Sequence, residues 1–438
     1  MPHELNQILI LWNQPDSGEE MQKLRTAIMD AAMFEPYSKE GKLITDVTCD
    51  VAIGGDTKLS EFTEKFDGVK LTPEQFRVSK EDLEKAHRQI DRDLLKSIRQ
   101  AIQNVRKYQT EIFIGNNPDL LGHPGIKYTP IKRVGICVPG ASAPMPSTVI
   151  MTAVPAQVAG VKEIAVVSPP RHNGTIHPVI LAVCYELGID EVYRIGGAQA
   201  ITALAVGTKK IGKVDKIVGP GNQWVQTAKK MVSGVVGTDS IAGPSEVLII
   251  ANDKANPAWV AADMLSQVEH APGSAVAFTD SQELAVKVLD ELKEQLKQLS
   301  RAKETIECLK KLSKIVIFEN MDEAIKWANY FAAEHLEIQC GDESRKIAEK
   351  IDNAGAIFIG DYSPVAVGDY WAGPSHTLPT GTSAKFFSAL SANDFIKSTS
   401  IIEYDKEKLA ESADDIIRLA EAEGLDAHAK SIKIRQQK

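Results

Sequence analysis

The residues best suited to chemistry in this 438-residue chain are its histidines and the acids and amides beside them. Of the nine histidines, His3, His87, His123, His172 and His177 lie in polar or Pro/Gly-rich surroundings and read as ordinary surface residues. The other four have potential partners. Gln267 and His270 are three residues apart near the end of an amphipathic helix and share one face. An amide oxygen and an imidazole there can bind one metal, though polar residues at this spacing are also common at helix ends. Asp369 and His376 fall in the segment GDYWAGPSHTLPT. A carboxylate and an imidazole there suit zinc or a substrate; an Asx turn with a surface histidine is the plain alternative. Glu334 and His335 stand at a helix-to-strand junction in FAAEHLEIQC. Adjacent side chains point different ways, so the histidine can move a proton near neutral pH while the glutamate activates water, or both simply end a helix. His428, with Glu423 five residues before it, lies on a polar helix near the chain end and by itself reads as solvated.

These residues need elements to hold them. The first 130 residues have mostly helical patterning. Within 81–113, Leu83, Ile90, Leu94, Leu95, Ile98, Ala101, Ile102 and Val105 recur at helical spacing. From about 131, short β-branched runs alternate with helical stretches: KRVGICVPG, EIAVVSPP, EVYRIGG, DKIVGPG, EVLIIAND, AVAFTD, KIVIFEN, HLEIQC and AIFIGDY. Strand, loop, helix, strand is the pattern of a parallel α/β sheet. Ligands in such sheets sit beyond the carboxyl ends of strands, which directs attention to the loops at Gly140, Gly196–Gly197, Gly219–Gly221 and Gly243. From about 391 the chain is helical and charged again, an arm that covers its own domain or reaches a partner subunit.

The glycine fingerprint GxGxxG of dinucleotide sites is absent. GPGNQW at 219–224 is the nearest string, and it lacks the third glycine. Even so, a Gly-Pro-Gly turn before a helix exposes backbone N–H groups that favour an anion such as pyrophosphate. GGAQA at 196–200 and AGPSE at 242–246 have the same character. The three loops point to a polar ligand without naming it, and tight strand-to-helix turns account for them equally.

Composition narrows the class. Apolar residues make up 43% and charged residues 25%, values of a soluble globular chain long enough for two or three domains. A formal net charge of -9 with no long basic run argues against a nucleic-acid or anionic-membrane partner. The N-terminal residues lack a secretory pattern, and no apolar run reaches the roughly 20 residues of a membrane-spanning helix. The expected setting is cytoplasmic. The five cysteines, Cys49, Cys137, Cys184, Cys308 and Cys340, are widely spaced and include no CxxC pair, so neither a thiolate zinc site nor a disulfide framework is expected.

Taken together and in order, the runs VPGASAPMPSTVIMTAVPAQVAGVKEI, GGAQAI, VDKIVGPGN, AGPSEVLIIA, ADMLSQVEH, AAEHLEI, GDYWAGPSHTLPT and AEGLDAHA resemble the histidinol dehydrogenase family over nearly the whole chain, most densely from 131 to 400. The resemblance implies an α/β fold of two incomplete Rossmann-like domains with parallel sheets, plus small helical N- and C-terminal segments. The implied division is 1–30 as the N-terminal segment, 31–136 with 247–390 as the main domain, 137–246 as the second, and 391–438 as an arm exchanged in a homodimer. It further implies NAD-linked oxidation of L-histidinol to L-histidine through the aldehyde, in two hydride transfers, as a step of histidine biosynthesis. One zinc per subunit would be held by Gln267, His270, Asp369 and His428, the last from the partner subunit. His335 would be the general base, and Glu334 would activate the water that attacks the aldehyde. Ser245, His376 and Glu423 would contact the substrate, together with Gln267, His270, His335, Asp369 and His428. Gln199 and Asn222 would contact NAD, with Cys137 at the position where the family commonly carries a tyrosine. One amide, one carboxylate and two imidazoles give zinc little net charge and leave room for substrate atoms.

The chain departs from the common family pattern at Cys137, at Val138–Pro139–Gly140–Ala141 where VPGG is usual, and at Trp371–Ser375. Those departures motivate two other readings: a paralogue that oxidises another small polyol or a sulfonated diol, and a zinc-dependent binding protein without redox activity.

Overall fold

A computed structural model of the chain describes all residues except 1, 13, 15, 122, 141–143, 271, 300 and 437–438, and only the backbone of 2–4, 120 and 121. The side chain of His3 and the departure at Ala141 lie outside the described residues. The described chain forms two compact units, 1–113 with 130–396, and 114–129 with 397–438.

The larger unit opens with β1 (Leu9–Leu11), α1 (Ser17–Ala32), α2 (Lys39–Asp67), α3 (Lys80–Gln89) and α4 (Arg92–Ile112). The chain then enters the smaller unit for α5 (Pro118–Leu121) and β2 (Ile126–Pro130). Back in the larger unit follow β3 (Arg133–Cys137), α6 (Pro146–Val158), β4 (Glu163–Val167), α7 (Pro178–Glu186), β5 (Glu191–Tyr193), α8 (Gly197–Val206), β6 (Lys216–Val218), α9 (Gln223–Val232) and β7 (Gly237–Thr238). The next stretch holds β8 (Ser245–Ala251), α10 (Pro257–Val268), β9 (Gly273–Thr279), α11 (Gln282–Gln295), α12 (Ala302–Leu312), β10 (Ser313–Ile317), α13 (Met321–Phe331), β11 (His335–Gln339), α14 (Ser344–Ala348), β12 (Ala356–Ile359) and α15 (Val365–Tyr370). The smaller unit closes with β13 (Ile396–Ser400), α16 (Lys406–Ala422) and α17 (Asp426–Gln436), β13 pairing with β2.

Each of the nine apolar runs forms a strand. Five strands make one sheet in the order β5-β4-β3-β6-β7, and six make the other in the order β1-β10-β9-β8-β11-β12. Every pairing within the two sheets is parallel. Numbered along the chain, both contain the order 3-2-1-4-5, that of a doubly wound sheet short of its last strand. Both faces of each sheet are covered, which explains why the strands read as nearly unbroken apolar runs. On β8, Val247 and Ile249 face the core against α10 and α11, while Leu248 and Ile250 face α13. Helices α2, α8 and α9 cover one face of the five-stranded sheet, and α3, α4, α6 and α7 the other. The border expected between 136 and 137 therefore runs through β3.

Some local expectations change. The helical spacing over 81–113 belongs to two helices: Ile90 leaves the helical conformation, and Asp91 accepts from the Leu94 amide to start α4. The N-terminal segment contributes a strand as well as a helix. His87 is no free surface group; its Nε2 lies 2.6 Å from Glu186, which also binds Arg99. Half-buried His177 accepts from the Val179 amide at the start of α7.

Candidate active site

The candidate residues of the six-stranded sheet gather at the amino ends of its strands. Ser245 and Glu246 open β8, Glu334 immediately precedes β11, and His335 opens it. Gln267 ends α10 just before β9, and Asp369 lies near the end of α15. This differs from the expectation that directed attention to carboxyl-end loops: Gly243 precedes β8 instead of closing a strand. The other glycine loops, after β3, β5 and β6, do lie at carboxyl ends of the five-stranded sheet. Ala242 joins the two regions: its carbonyl accepts from the Gly221 amide at 3.2 Å and from Gln226 at 2.8 Å.

Parallel pairing of β8 with β11 brings Glu246 and Glu334 side by side. Glu334 Oε2 accepts from the Glu246 amide at 2.9 Å, and Glu246 Oε1 accepts from the Glu334 amide at 3.0 Å. Ser245 Oγ lies 2.7 Å from Gln267 Oε1 and 3.0 Å from Glu334 Oε2, so its single proton joins one or the other. Buried Gln267 is thereby held with its amide oxygen toward Glu334. Its backbone is fixed by Gly273: a Cβ at 273 would stand 2.1 Å from the Gln267 carbonyl oxygen.

His335 is buried. Its Nδ1 lies 3.0 Å from the Glu246 carbonyl, which can only accept, so Nδ1 carries the proton and donates it. That leaves Nε2 without a hydrogen-bond partner, 3.8 Å from Asp369 Oδ1. Burial alone would lower the His335 pKa, but Glu334 and then Asp369 outweigh it and hold it well above the ordinary imidazole value. Burial likewise raises Asp369, but His335, with His376 and His270 farther off, brings it below the usual carboxylate value. A cavity of about 330 Å³ opens at these groups, lined by His335, Asp369 and His376 among others. His376 lies 3.2 Å from Ser147 Oγ of α6, and burial lowers its pKa.

The chain therefore brings together Ser245, Gln267, Glu334, His335, Asp369 and His376, with exposed His270 at the end of α10. Exposed Glu423 and His428 belong to the smaller unit. Among the described residues no three His, Cys, Asp or Glu side chains stand close enough to hold a metal ion. Gln267, His270 and Asp369 would offer an amide oxygen, an imidazole and a carboxylate, and the last two are ordinary zinc donors. The partnerless Nε2 of His335 stands near one of these three, 3.8 Å from Asp369 Oδ1.

Near the five-stranded sheet, Gln199 is buried on α8 with Nε2 3.4 Å from Asp67 Oδ2. Exposed Asn222 caps α9 by accepting from the Val225 amide. The Cys137 side chain points into the core beneath α8 and α9, and burial pushes its thiol up to about 12. Its carbonyl meets the 219–221 loop: Gly219 has φ +116°, and a Cβ there would stand 2.3 Å from Cys137 O. Sequence reasoning missed Glu246, Lys229 and Asp239. Buried Lys229 donates to Gly219 O at 3.0 Å and pairs with buried Asp239, whose other oxygen accepts from Gly219 N at 2.6 Å. The signal available for Glu246 was a charge opening the apolar run EVLIIA.

No described helix is long and apolar enough to cross a membrane. Residues 35–436 match the family described as histidinol dehydrogenase. The chain is similar to the histidinol dehydrogenase of Oceanobacillus iheyensis, 48% identical over 392 residues, covering 88% of this chain and 91% of that protein. Its identity to the histidinol dehydrogenase of Rhodopirellula baltica is 46% over 398 residues, 90% of this chain and 86% of that one. The crystal structure of histidinol dehydrogenase from Elizabethkingia anophelis matches with a TM-score of 0.87 and 33% identity, over 98% of this chain and 97% of that chain.

Proposed function

The chain belongs to the histidinol dehydrogenase family and is an NAD-dependent oxidoreductase of histidinol in histidine biosynthesis; from that premise we propose that Glu334 and His335 run the two oxidations of L-histidinol to L-histidine beside a zinc ion. The observation that carries this assignment is the His335 ring, pinned through Nδ1 to the Glu246 carbonyl with Nε2 unpartnered, in a residue that lines the cavity.

Gln267, His270 and Asp369 would hold the zinc, with the partner subunit's His428 as fourth donor. Glu423 and His428 then lie on an exchanged arm of a homodimer. The exposure of Ile402, Leu419 and Ile434 on that arm supports a covering partner. Zinc, when bound, supplies a positive centre that orients an amino-imidazole substrate and draws negative field away from His335.

In the first oxidation His335 Nε2 accepts the hydroxyl proton while the substrate carbon gives a hydride to NAD, leaving the aldehyde. Water must then add to the aldehyde. Glu334, anchored by the Glu246 amide and Ser245, takes the proton of that water, while His335 returns the proton it holds to the aldehyde oxygen, so that the hydrate forms and His335 is free to accept again. The hydrate loses a second hydride to a second NAD and its hydroxyl proton to His335, giving the acid. Ser245 and His376 contact the substrate in this scheme. Gln199, Asn222 and the Cys137–Gly219 contact form the NAD side, at the carboxyl ends of the five-stranded sheet. The setting we assign is the cytoplasm.

NADH yield from limiting L-histidinol tests the reading: close to two per substrate is expected. No NADH from L-histidinol alongside turnover of another diol would overturn the substrate assignment.

A further inference from the structure

On the same face of β11 as His335 stand Glu337 and Gln339, since alternate residues of a strand share a face. Both are buried against the core that packs on α10 and α11. Opposite them α10 presents Asp263, one turn before Gln267. Gln339 Nε2 donates to Asp263 Oδ2 at 2.7 Å and to Glu337 Oε2 at 3.1 Å. Glu337 and Asp263 are themselves hydrogen-bonded, and burial raises both acids. A hydrogen bond between two carboxyl groups requires one proton between them. The other Glu337 oxygen, Oε1, accepts from the Val365 amide at 2.8 Å. Val365 opens α15, and the preceding Pro364 has no side-chain acceptor to cap it, so the cap comes from β11. One turn after Val365 comes Asp369.

A single carboxyl group thus ties together three elements, each bearing a site residue within one turn or two residues of the tie. We propose that Glu337 is a positioning residue that, through Asp263 and the Val365 amide, sets how α10 and α15 present Gln267 and Asp369 to His335. This rests on the reading of Gln267 and Asp369 as zinc-site residues. What Glu337 contributes is hydrogen bonding to Asp263 and to the Val365 amide at fixed reach, not a negative charge.

That distinction makes it testable in the full-length, zinc-loaded protein. Glu337→Gln keeps an N–H for Asp263 and an oxygen for Val365. Glu337→Asp keeps the acid but is one methylene too short to reach both. Glu337→Gln is expected to retain zinc affinity, by competition with a chromogenic chelator, and kcat near wild type. Glu337→Asp is expected to lose about tenfold in both, with the KM for NAD unchanged and amide exchange across Val365–Tyr370 faster in metal-free protein. The reverse order, Asp better than Gln, overturns the proposal, as does faster exchange in Glu337→Asp with zinc affinity and kcat intact. Wild-type protein that holds no zinc overturns the ligand reading instead; the kcat order of the two variants then supports or overturns this one.

Discussion

Glu246 and Glu334 each accept a hydrogen bond from the other's backbone amide, at 3.0 and 2.9 Å, across the β8–β11 pair. Two buried carboxyl groups so close cannot both ionise cheaply. Burial, and then the Glu334 charge, raise the Glu246 pKa to about 8, so Glu246 is the neutral member.

The pH dependence follows from the sign of that shift. An acid raised in the folded state contributes its full stabilisation below its ordinary value of 4.5, and this is lost as pH rises through about 8. Glu246→Gln still accepts from the Glu334 amide but cannot ionise. Its stability relative to wild type should therefore grow between those values by more than about 1.4 kcal/mol, the worth of one pKa unit, and level off above. Urea unfolding across that range checks it; a difference independent of pH would show that Glu246 is ionised throughout.

Lys229 and Asp239 fasten the N–H and C=O of Gly219 from opposite sides, in a buried pair. Removing one partner leaves the other charge uncompensated, so Lys229→Met should cost about 3–5 kcal/mol. Lys229→Met with Asp239→Asn should recover much of that stability while the Gly219 loop stays loosened. The double variant should then show a raised KM for NAD with an unchanged KM for histidinol. Equal changes in both would detach this pair from the cofactor side.

The strands were legible because burial on both faces makes continuous apolar runs, and EVLIIAND or KIVIFEN allows little else. Of the site, the local pairs Gln267–His270 and Glu334–His335 were legible as spacing, their roles only through family resemblance. Their convergence was not. It depends on β8 lying beside β11, a pairing separated by 88 residues at Glu246 and Glu334. Glu246 also directs its carboxyl at a backbone amide, and backbone partners leave no trace in side-chain identity. The break at Ile90 escaped notice because apolar spacing ran on through it, although Asp91 was a competent cap. The candidate residues at the amino ends of β8 and β11 lie where a rule drawn from single doubly wound sheets would not look for them. Here the loop that leaves the five-stranded sheet becomes the start of β8.

Gly273 offers a test of how firmly Gln267 must be held. Alanine there would put its methyl 2.1 Å from the Gln267 carbonyl oxygen, so the end of α10 must shift. The expected cost is about 1–3 kcal/mol, typical of overpacking, with weaker zinc retention on dialysis. Loss of stability with zinc retention intact would mean that Gln267 tolerates displacement and is not a tight ligand.

The division of labour between Glu334 and His335 predicts that their loss separates the two oxidations. Glu334→Gln removes a base for water but keeps an oxygen for the Glu246 amide and Ser245, so the local geometry survives. The alcohol step needs only His335 Nε2 and should slow little. The aldehyde step needs water deprotonated and should slow by about 10²–10⁴-fold. Starting from L-histidinol, the variant should then release aldehyde, and NADH should approach one per substrate before the slow second phase. His335→Ala removes the base common to both steps and should depress them together. Stopped-flow NADH traces with L-histidinol and with the aldehyde supplied directly distinguish the outcomes; equal slowing of both steps in Glu334→Gln would move the water-activating role to another group.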